Sequence, residues 1–381
     1  MIELFTNYEL LKVLWWVLIG VLLIGFAITD GYDLGAAGLL AVIAKNDTDK
    51  RIIINAVAPH WDGNQVWFIT AGGAMFAAWP TVYATAFSGF YWAMLAVLLA
   101  LILRPISFEY RAKVEGPQKK WCDLGLIISG FVPSLIFGVA FGNLFQGYGY
   151  DMDQYLRTSF QEGFWELLNP FALLCGVVSL SMILMQGATW LNLRTSGDVQ
   201  VRSTGVARIL AVVVIIAFAA AGIWLAKMPG YVITSAIDTA GAANPLNKTV
   251  AFGEIGAWFN NYTLYPETML APVIAFAGAL GVLLLVNKMP ALSFVCSSLC
   301  NAGVIATAGL SLFPFIMPSS TDPNVSLTIW DATSSQFTLG IMTFVALVFV
   351  PLILAYTTWC FYKMWGRVDA DHIEANTHSL Y

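Results

Sequence analysis

Apolar runs of about 20 residues recur along the whole chain, and no other feature limits its fold as tightly. Nine runs read as spans, at roughly 12–43, 52–76, 80–103, 122–145, 164–193, 206–228, 267–286, 291–315 and 335–362. Inside hydrocarbon every backbone N–H and C=O must be satisfied within the protein, and runs of this length do so as helices. The longest can tilt or end outside the hydrocarbon. Of the 381 residues 59% are hydrophobic and 11% charged, against about 25% charged in soluble domains. The expected fold is therefore an all-α integral membrane protein with nine transmembrane helices, its residues 1–381 forming one polytopic domain.

Orientation follows from Lys and Arg, which collect on the cytoplasmic side. With connections alternating, 14 of the 18 basic residues fall on one side: Lys45, Lys50, Arg51, Arg104, Arg111, Lys113, Lys119, Lys120, Arg194, Arg202, Arg208, Lys288, Lys363 and Arg367. Lys12, Arg157, Lys227 and Lys248 fall on the other. Losing one span would scramble this split, so it places the N-terminus outside and the C-terminal tail in the cytoplasm. The external connections are then 146–163, 229–266 and 316–334, with a short turn near Trp79-Pro80. Glu3 and Glu9 stand where a cleavable leader would be basic, so the first apolar run is expected to be retained.

Several classes are disfavoured at this stage. A net charge of −5 with no basic run longer than Lys119-Lys120 gives no footprint for nucleic acid. Cys122, Cys175, Cys296, Cys300 and Cys360 are odd in number and lie in or beside apolar runs, which suits packing rather than a disulfide framework. Cys296 and Cys300 share a helix face but lack further metal ligands nearby. Gly31 and Gly35, and Gly138 and Gly142, have the four-residue spacing that lets helices approach closely, though scattered glycine is an equal reading.

Chemistry is expected where charge is costly. Asp30 and Asp33 fall in the first span, and Asp62 follows His60 and Trp61 in the second. An unpaired acid at the bilayer centre costs roughly 2.5–3.5 kcal/mol on insertion scales, so such groups usually face the interior and mark an ion or proton route. Counted from Lys45 and Arg51 at about 1.5 Å per residue, Asp30, Asp33, His60 and Asp62 reach similar depths. The expectation is that adjacent helices bring the four together, with Gly31 and Pro59 freeing carbonyls to join them. A proton pathway, a cation site, and a purely structural cluster with Asn64, Gln65 and Thr70 all remain open. His60 is the one histidine in a span, since His372 and His378 lie in the tail, so bis-His haem ligation by this chain alone lacks its second ligand. Zinc lacks ligands for the same reason.

The sequence resembles subunit II of the cytochrome bd-type ubiquinol oxidases along its whole length. The run Ala58-Pro59-His60-Trp61-Asp62-Gly63-Asn64-Gln65-Val66-Trp67 carries most of the resemblance. Gly25 to Gly35, Phe87 to Tyr91, Arg104-Pro105, Gly138 to Asn143, Phe313 to Ser320 and Trp330 to Ser335 add to it. The resemblance implies a subunit of a quinol:O2 oxidoreductase of the bacterial inner membrane, reducing O2 to water with cytoplasmic protons and inactive without its partner. It implies that subunit I binds haems b558, b595 and d and oxidises quinol, so this chain holds no haem, no metal and no catalytic residue of its own. Small single-span accessory subunits and lipids are further expected partners, and a quinone can lie in subunit II as a structural lipid. The nine-span bundle is expected to pack as a pseudo-symmetric pair with subunit I. By the same resemblance Asp62, with His60, Asp30, Asp33, Arg104 and Glu109, passes protons toward the haems. Glu109 stands where relatives are expected to carry Asp, and Trp67 borders an oxygen-access route. The competing function class is a proton- or Na+-coupled secondary transporter, which buried acids near broken helices also suit but which wants an internal repeat.

Overall fold

The computed structural model describes residue 5, residues 7–375 and residue 380; His378 therefore lies outside the described residues. The first crossing is interrupted. Helix α1 (Tyr8–Ile28) starts at Asn7, whose side chain accepts from the Leu10 N–H. It stops at Thr29, which turns its N–H and its Oγ1 back onto the Gly25 carbonyl. Helix α2 (Asp30–Gly38) continues the crossing, and the four-residue α3 (Leu40–Ile43) ends it. The break leaves the Ala27 and Ile28 carbonyls outside the regular ladder.

The second expected span, 52–76, is two helices. α4 (Asp47–Val57) and α5 (Trp61–Ala78) are separated at Pro59, which has no N–H to continue a helix. α5 runs antiparallel to α1 over the same depth. Trp67 lies against Gly25, Phe68 against Phe26 at 5.0 Å between ring centroids, and Ala78 joins the buried cluster around Leu11 and Trp15. The third span also differs from expectation. α6 (Pro80–Gly89) is a separate helix ending at a bend at Phe90, and the apolar crossing is α7 (Tyr91–Arg111).

The remaining long helices are α8 (Pro117–Gln146), α9 (Pro170–Arg194), α10 (Gly197–Leu225), α12 (Leu270–Leu285), α13 (Pro290–Leu312) and α14 (Gln336–Lys363). Two short helices complete the set, α11 (Asn260–Leu264) and α15 (Ala370–Ala375). Among the described residues eight helical segments are long and apolar enough to cross a membrane. α5 is less apolar, because Asp62, Asn64 and Gln65 occupy its first turns, and it returns the chain beside α1.

Helices dominate, as the apolar runs require, but three connections carry antiparallel hairpins: β1 (Tyr150–Met152) with β2 (Thr158–Phe160), β3 (Pro229–Ile233) with β4 (Val250–Ile255), and β5 (Phe315–Met317) with β6 (Leu327–Thr328). They interlock. Tyr148 N–H donates to the Pro318 carbonyl at 3.0 Å, Tyr150 Oη to the Met317 carbonyl at 2.7 Å, and Val250 N–H to Asn324 Oδ1 at 2.9 Å. Two of the four basic residues assigned to this side are buried within it. Lys12 Nζ donates to the carbonyls of Thr239, Gly241 and Trp330, and Lys248 pairs with Asp331 at 3.0 Å. Burial pulls the Lys248 ammonium below its usual range, against the opposing charge of Asp331.

The opposite end carries most of the Lys and Arg. There Asp123 accepts from Lys50 and Arg111, Asp47 from Arg111 and Lys119, and Asp49 from Arg202, which ties α4 to α7, α8 and α10. Burial alone would raise the Asp47 carboxyl, but hydrogen bonds and charge from Arg111 and Lys119 hold it below its ordinary value. The glycine pairs serve as close crossings. A Cβ on Gly35 would strike the Ile183 carbonyl and Gly187, one on Gly138 the Cys175 carbonyl, and one on Gly142 Ala172. Cys296 Sγ lies against Gly281, and the Cys296 and Cys300 backbone lies against Gly278.

Candidate functional site

The break at Thr29 places Asp30 and Asp33 one turn apart at the start of α2, both fully buried. Arg104, also fully buried, reaches from α7. Its Nη1 donates to Asp30 Oδ1 at 2.7 Å and its Nη2 to Gln65 Oε1 at 2.9 Å. Its guanidinium lies 5.4 Å from the Trp61 ring, which is itself stacked on Phe108. Asn64 serves the second acid: its Nδ2 donates to Asp33 Oδ2 at 2.8 Å and to Tyr32 Oη at 2.6 Å. α5 thus supplies both amides, one to each half of the network. Asp30 Oδ2, Asp33 Oδ1 and Arg104 Nε have no hydrogen-bond partner among the described residues.

The charge count gives this arrangement its chemistry. Two carboxylates share one guanidinium, so the group is neutral when it holds one proton. Each carboxylate also keeps an unpartnered oxygen able to accept that proton. A buried acid–base group of this kind can pass its one proton between the two carboxylates while staying neutral, and it changes its net charge by one when it takes up or gives up a proton.

The structure gathers the expected residues only in part. Asp30, Asp33 and Arg104 meet, with Asn64 and Gln65. His60 does not join them; it is buried with its ring stacked on Phe361 at 4.1 Å. Asp62 is exposed on the outer face of α5, and Thr70 is exposed on the same helix. The reason is helical geometry: each residue turns about 100°, so Asn64 points inward and Asp62, two positions earlier, points away. Glu109 is exposed as well, 3.7 Å from Lys113 near the basic end of α7. Trp67 is half-buried against Gly25. No cluster of three or more His, Cys, Asp or Glu side chains able to hold a metal occurs among the described residues.

Three groups near the acids did not stand out in the sequence. Tyr32 stacks on Trp190 at 4.0 Å, and Trp190 in turn lies under the buried Arg194. Gln186 and Asn301 send their amides to the Ile28 and Ala27 carbonyls at the break. Single polar residues inside long apolar runs were the available signal.

The exposed face of α5 carries Asp62, Gly63, Val66, Ile69, Thr70, Gly73 and Phe76. A Cβ on Gly63 or Gly73 would meet nothing within 4 Å. An ionisable side chain on an otherwise apolar, glycine-bearing face at membrane depth is costly against lipid and suits a protein neighbour.

Comparison with known proteins bears on this geometry. Residues 11–364 match the family model described as cytochrome bd terminal oxidase subunit II. The chain is 52% identical over 378 residues to cytochrome bd-I ubiquinol oxidase subunit 2 of Escherichia coli K12, covering 98% of this chain and all of the relative. It is 30% identical over 370 residues to cytochrome bd ubiquinol oxidase subunit 2 of Bacillus subtilis, covering 96% and 98% of the two chains. A chain in the solved structure of bd oxidase from Geobacillus thermodenitrificans superposes with a TM-score of 0.64 at 15% identity, covering 93% of this chain and 98% of that one, a likeness of fold.

Proposed function

The chain belongs to the cytochrome bd terminal oxidase subunit II family, and from that premise we propose that it is the non-haem subunit of a quinol:O2 oxidoreductase that brings protons, and by Trp67 oxygen, to a haem-bearing subunit I. The full-length match carries this reading, and it favours an oxidase subunit over a proton- or Na+-coupled transporter. Haems b558, b595 and d belong to subunit I in this proposal. Among the described residues the histidines do not fit haem ligation: His60 is packed against Phe361, and His372 lies in α15, beyond the last crossing. Small accessory subunits, quinol and lipids complete the assembly, with a quinone as a structural lipid in this subunit.

The basic end faces the cytoplasm of a bacterial inner membrane, in keeping with the distribution of Lys and Arg. The hairpin end faces outward. Subunit I covers the α5 face that displays Asp62, so that Asp62 stands at the junction of the subunits while Asp30 and Asp33 form an internal store. Arg104 pairs directly with Asp30, and Asn64 fixes Asp33 in place. Proton transfer then runs among the carboxylates, with Asp62 as the acid nearest the partner.

The test is the turnover of the two-subunit oxidase carrying Asp62→Asn. Asn keeps the shape and cannot carry a proton. The expected result is retained haem content with quinol oxidase turnover sharply reduced, and more activity with Asp62→Glu than with Asp62→Asn. Full turnover at full haem content in Asp62→Asn removes Asp62 from the route.

A further inference from the structure

At the helix break beside Asp30 lies a set of buried oxygen atoms that the acid network does not use. Gln186 on α9 donates from Nε2 to the Ile28 carbonyl at 3.0 Å and to Ser298 Oγ at 2.9 Å. Asn301 on α13 donates from Nδ2 to the Ala27 carbonyl at 3.1 Å. Backbone carbonyls only accept, so each amide must turn its nitrogen toward the break and its oxygen the other way. Gln186 Oε1 and Asn301 Oδ1 consequently have no donor, and both side chains are fully buried. The hydroxyls of Ser297 and Ser293 are likewise fully buried and without partners.

These groups are ordered in space. Ser293, Ser297 and Asn301 are spaced by four and lie on one face of α13. α13 begins at Pro290, just after Lys288 at the basic end. Asn301 therefore stands about 16 Å along the helix from its start. There it meets the broken first crossing, where Gln186 lies beside Gly31 and Asp30 Oδ2 is itself unpartnered. Buried polar atoms are nearly always hydrogen-bonded, and a run of acceptors and hydroxyls with none suits water, which donates to the amide oxygens and both donates to and accepts from the serines. The adjoining face of α13 is of another kind: Cys296 and Cys300 meet glycines of α12.

We propose that the seam formed by Ser293, Ser297, Asn301 and Gln186 holds a file of water running from the basic end to the interrupted helix, and that it delivers protons to Asp30 and Asp33 from within this subunit. This route is separate from Asp62, which faces outward on α5. It rests on the reading of the buried acids as proton carriers. Asn301 and Gln186 are positioning residues that orient water at the broken helix, and Ser297 passes the chain of hydrogen bonds onward.

The experiment uses the intact two-subunit oxidase in two measurements. An experimental map of the complex, at a resolution that shows ordered water, should contain water bonded to Asn301 Oδ1, Gln186 Oε1 and Ser297 Oγ. Turnover at constant haem content should fall by on the order of 10²-fold in Asn301→Leu. Ser297→Val should slow turnover and enlarge the solvent deuterium isotope effect, and Ser297→Thr, which keeps the hydroxyl, should restore both. A dry seam overturns the proposal, as does full turnover in assembled Ser297→Val and Asn301→Leu. The two readings fail differently. Full turnover in Asp33→Asn with water present in the seam overturns the role of the acids, whereas a dry seam with Asp33→Asn inactive overturns only the seam.

Discussion

Helices α9 and α14 have similar apolar character and opposite fates. The most apolar stretch of α9 has a hydropathy of 1.9 and is 72% buried inside the chain; that of α14 has 2.5 and is 11% buried. Hydropathy places both in the membrane and says nothing about which is central. What separates them is side-chain size at the crossings. α9 presents Gly176, Ser179, Gly187 and Ala188 to its neighbours, so backbones meet directly, and it touches α2, α8, α10 and α13. α14 presents Phe344, Leu347, Phe349 and Leu352 outward and is held mainly through its contacts with α1 and α5. In a bilayer the apolar surface of a helix gains little by leaving lipid for protein, so close packing and buried polar contacts decide which helix is the hub.

The largest effect should come from closing a tight backbone crossing of α9. In Gly187→Leu the new side chain meets the Gly35 and Ala36 backbone, which cannot yield as a flexible side chain would. The expected outcome is loss of assembled, haem-loaded complex, measured by co-purification with subunit I; normal assembly would show that α9 is not the hub. The next effect comes from the polar contacts around that hub. Arg104→Leu strands Asp30 in a fully buried site, a change worth about 3–5 kcal/mol for a broken buried pair. Thermal unfolding of the complex should shift strongly downward, and a second substitution, Asp30→Asn, should recover part of the loss. The smallest effect belongs to α14. Leu352→Ala, at a 63% exposed position, should change stability by no more than about 0.5 kcal/mol. A large loss there would mean that this face is covered in the complex, which would sharpen the contrast by marking α14 as an interface helix.

The crossings were legible in the sequence because a run of about 20 apolar residues has few other uses. Their internal faces were not, since lipid-facing and protein-facing positions are apolar alike and no polar stripe marks the difference. Asp30 and Asp33 were legible for the opposite reason: charge at membrane depth is costly enough to require a partner. Arg104 was counted with the cytoplasmic basic residues and joined the acids only through the resemblance. Asp62 was misplaced because depth along a helix fixes height and not direction, and Pro59 resets the rotation of the chain just before it. His60 stands apart from Asp30 and Asp33 for the same reason, its ring turning to Phe361. Glu109 was assigned by motif alone, and its place near the end of α7 sets it beside Lys113 in contact with solvent. Gln186 and Asn301 went unremarked as isolated amides, although Ser293, Ser297 and Asn301 at spacing four already traced one face of α13.

The interlocked hairpins have an electrical consequence. Between the buried carboxylates and that end of the molecule stand Leu11, Trp15, Ile19, Trp79, Tyr148 and Tyr150, packed as one apolar cluster, with the Lys12 and Lys248 contacts above it. A layer of this kind is a dielectric. On the proposed route, protons consumed on its inner side are drawn from the basic end, so each one taken up would carry charge across part of the membrane's thickness. In that light the cap is the insulator of a capacitor, and a leak through it would discharge the voltage without slowing the chemistry.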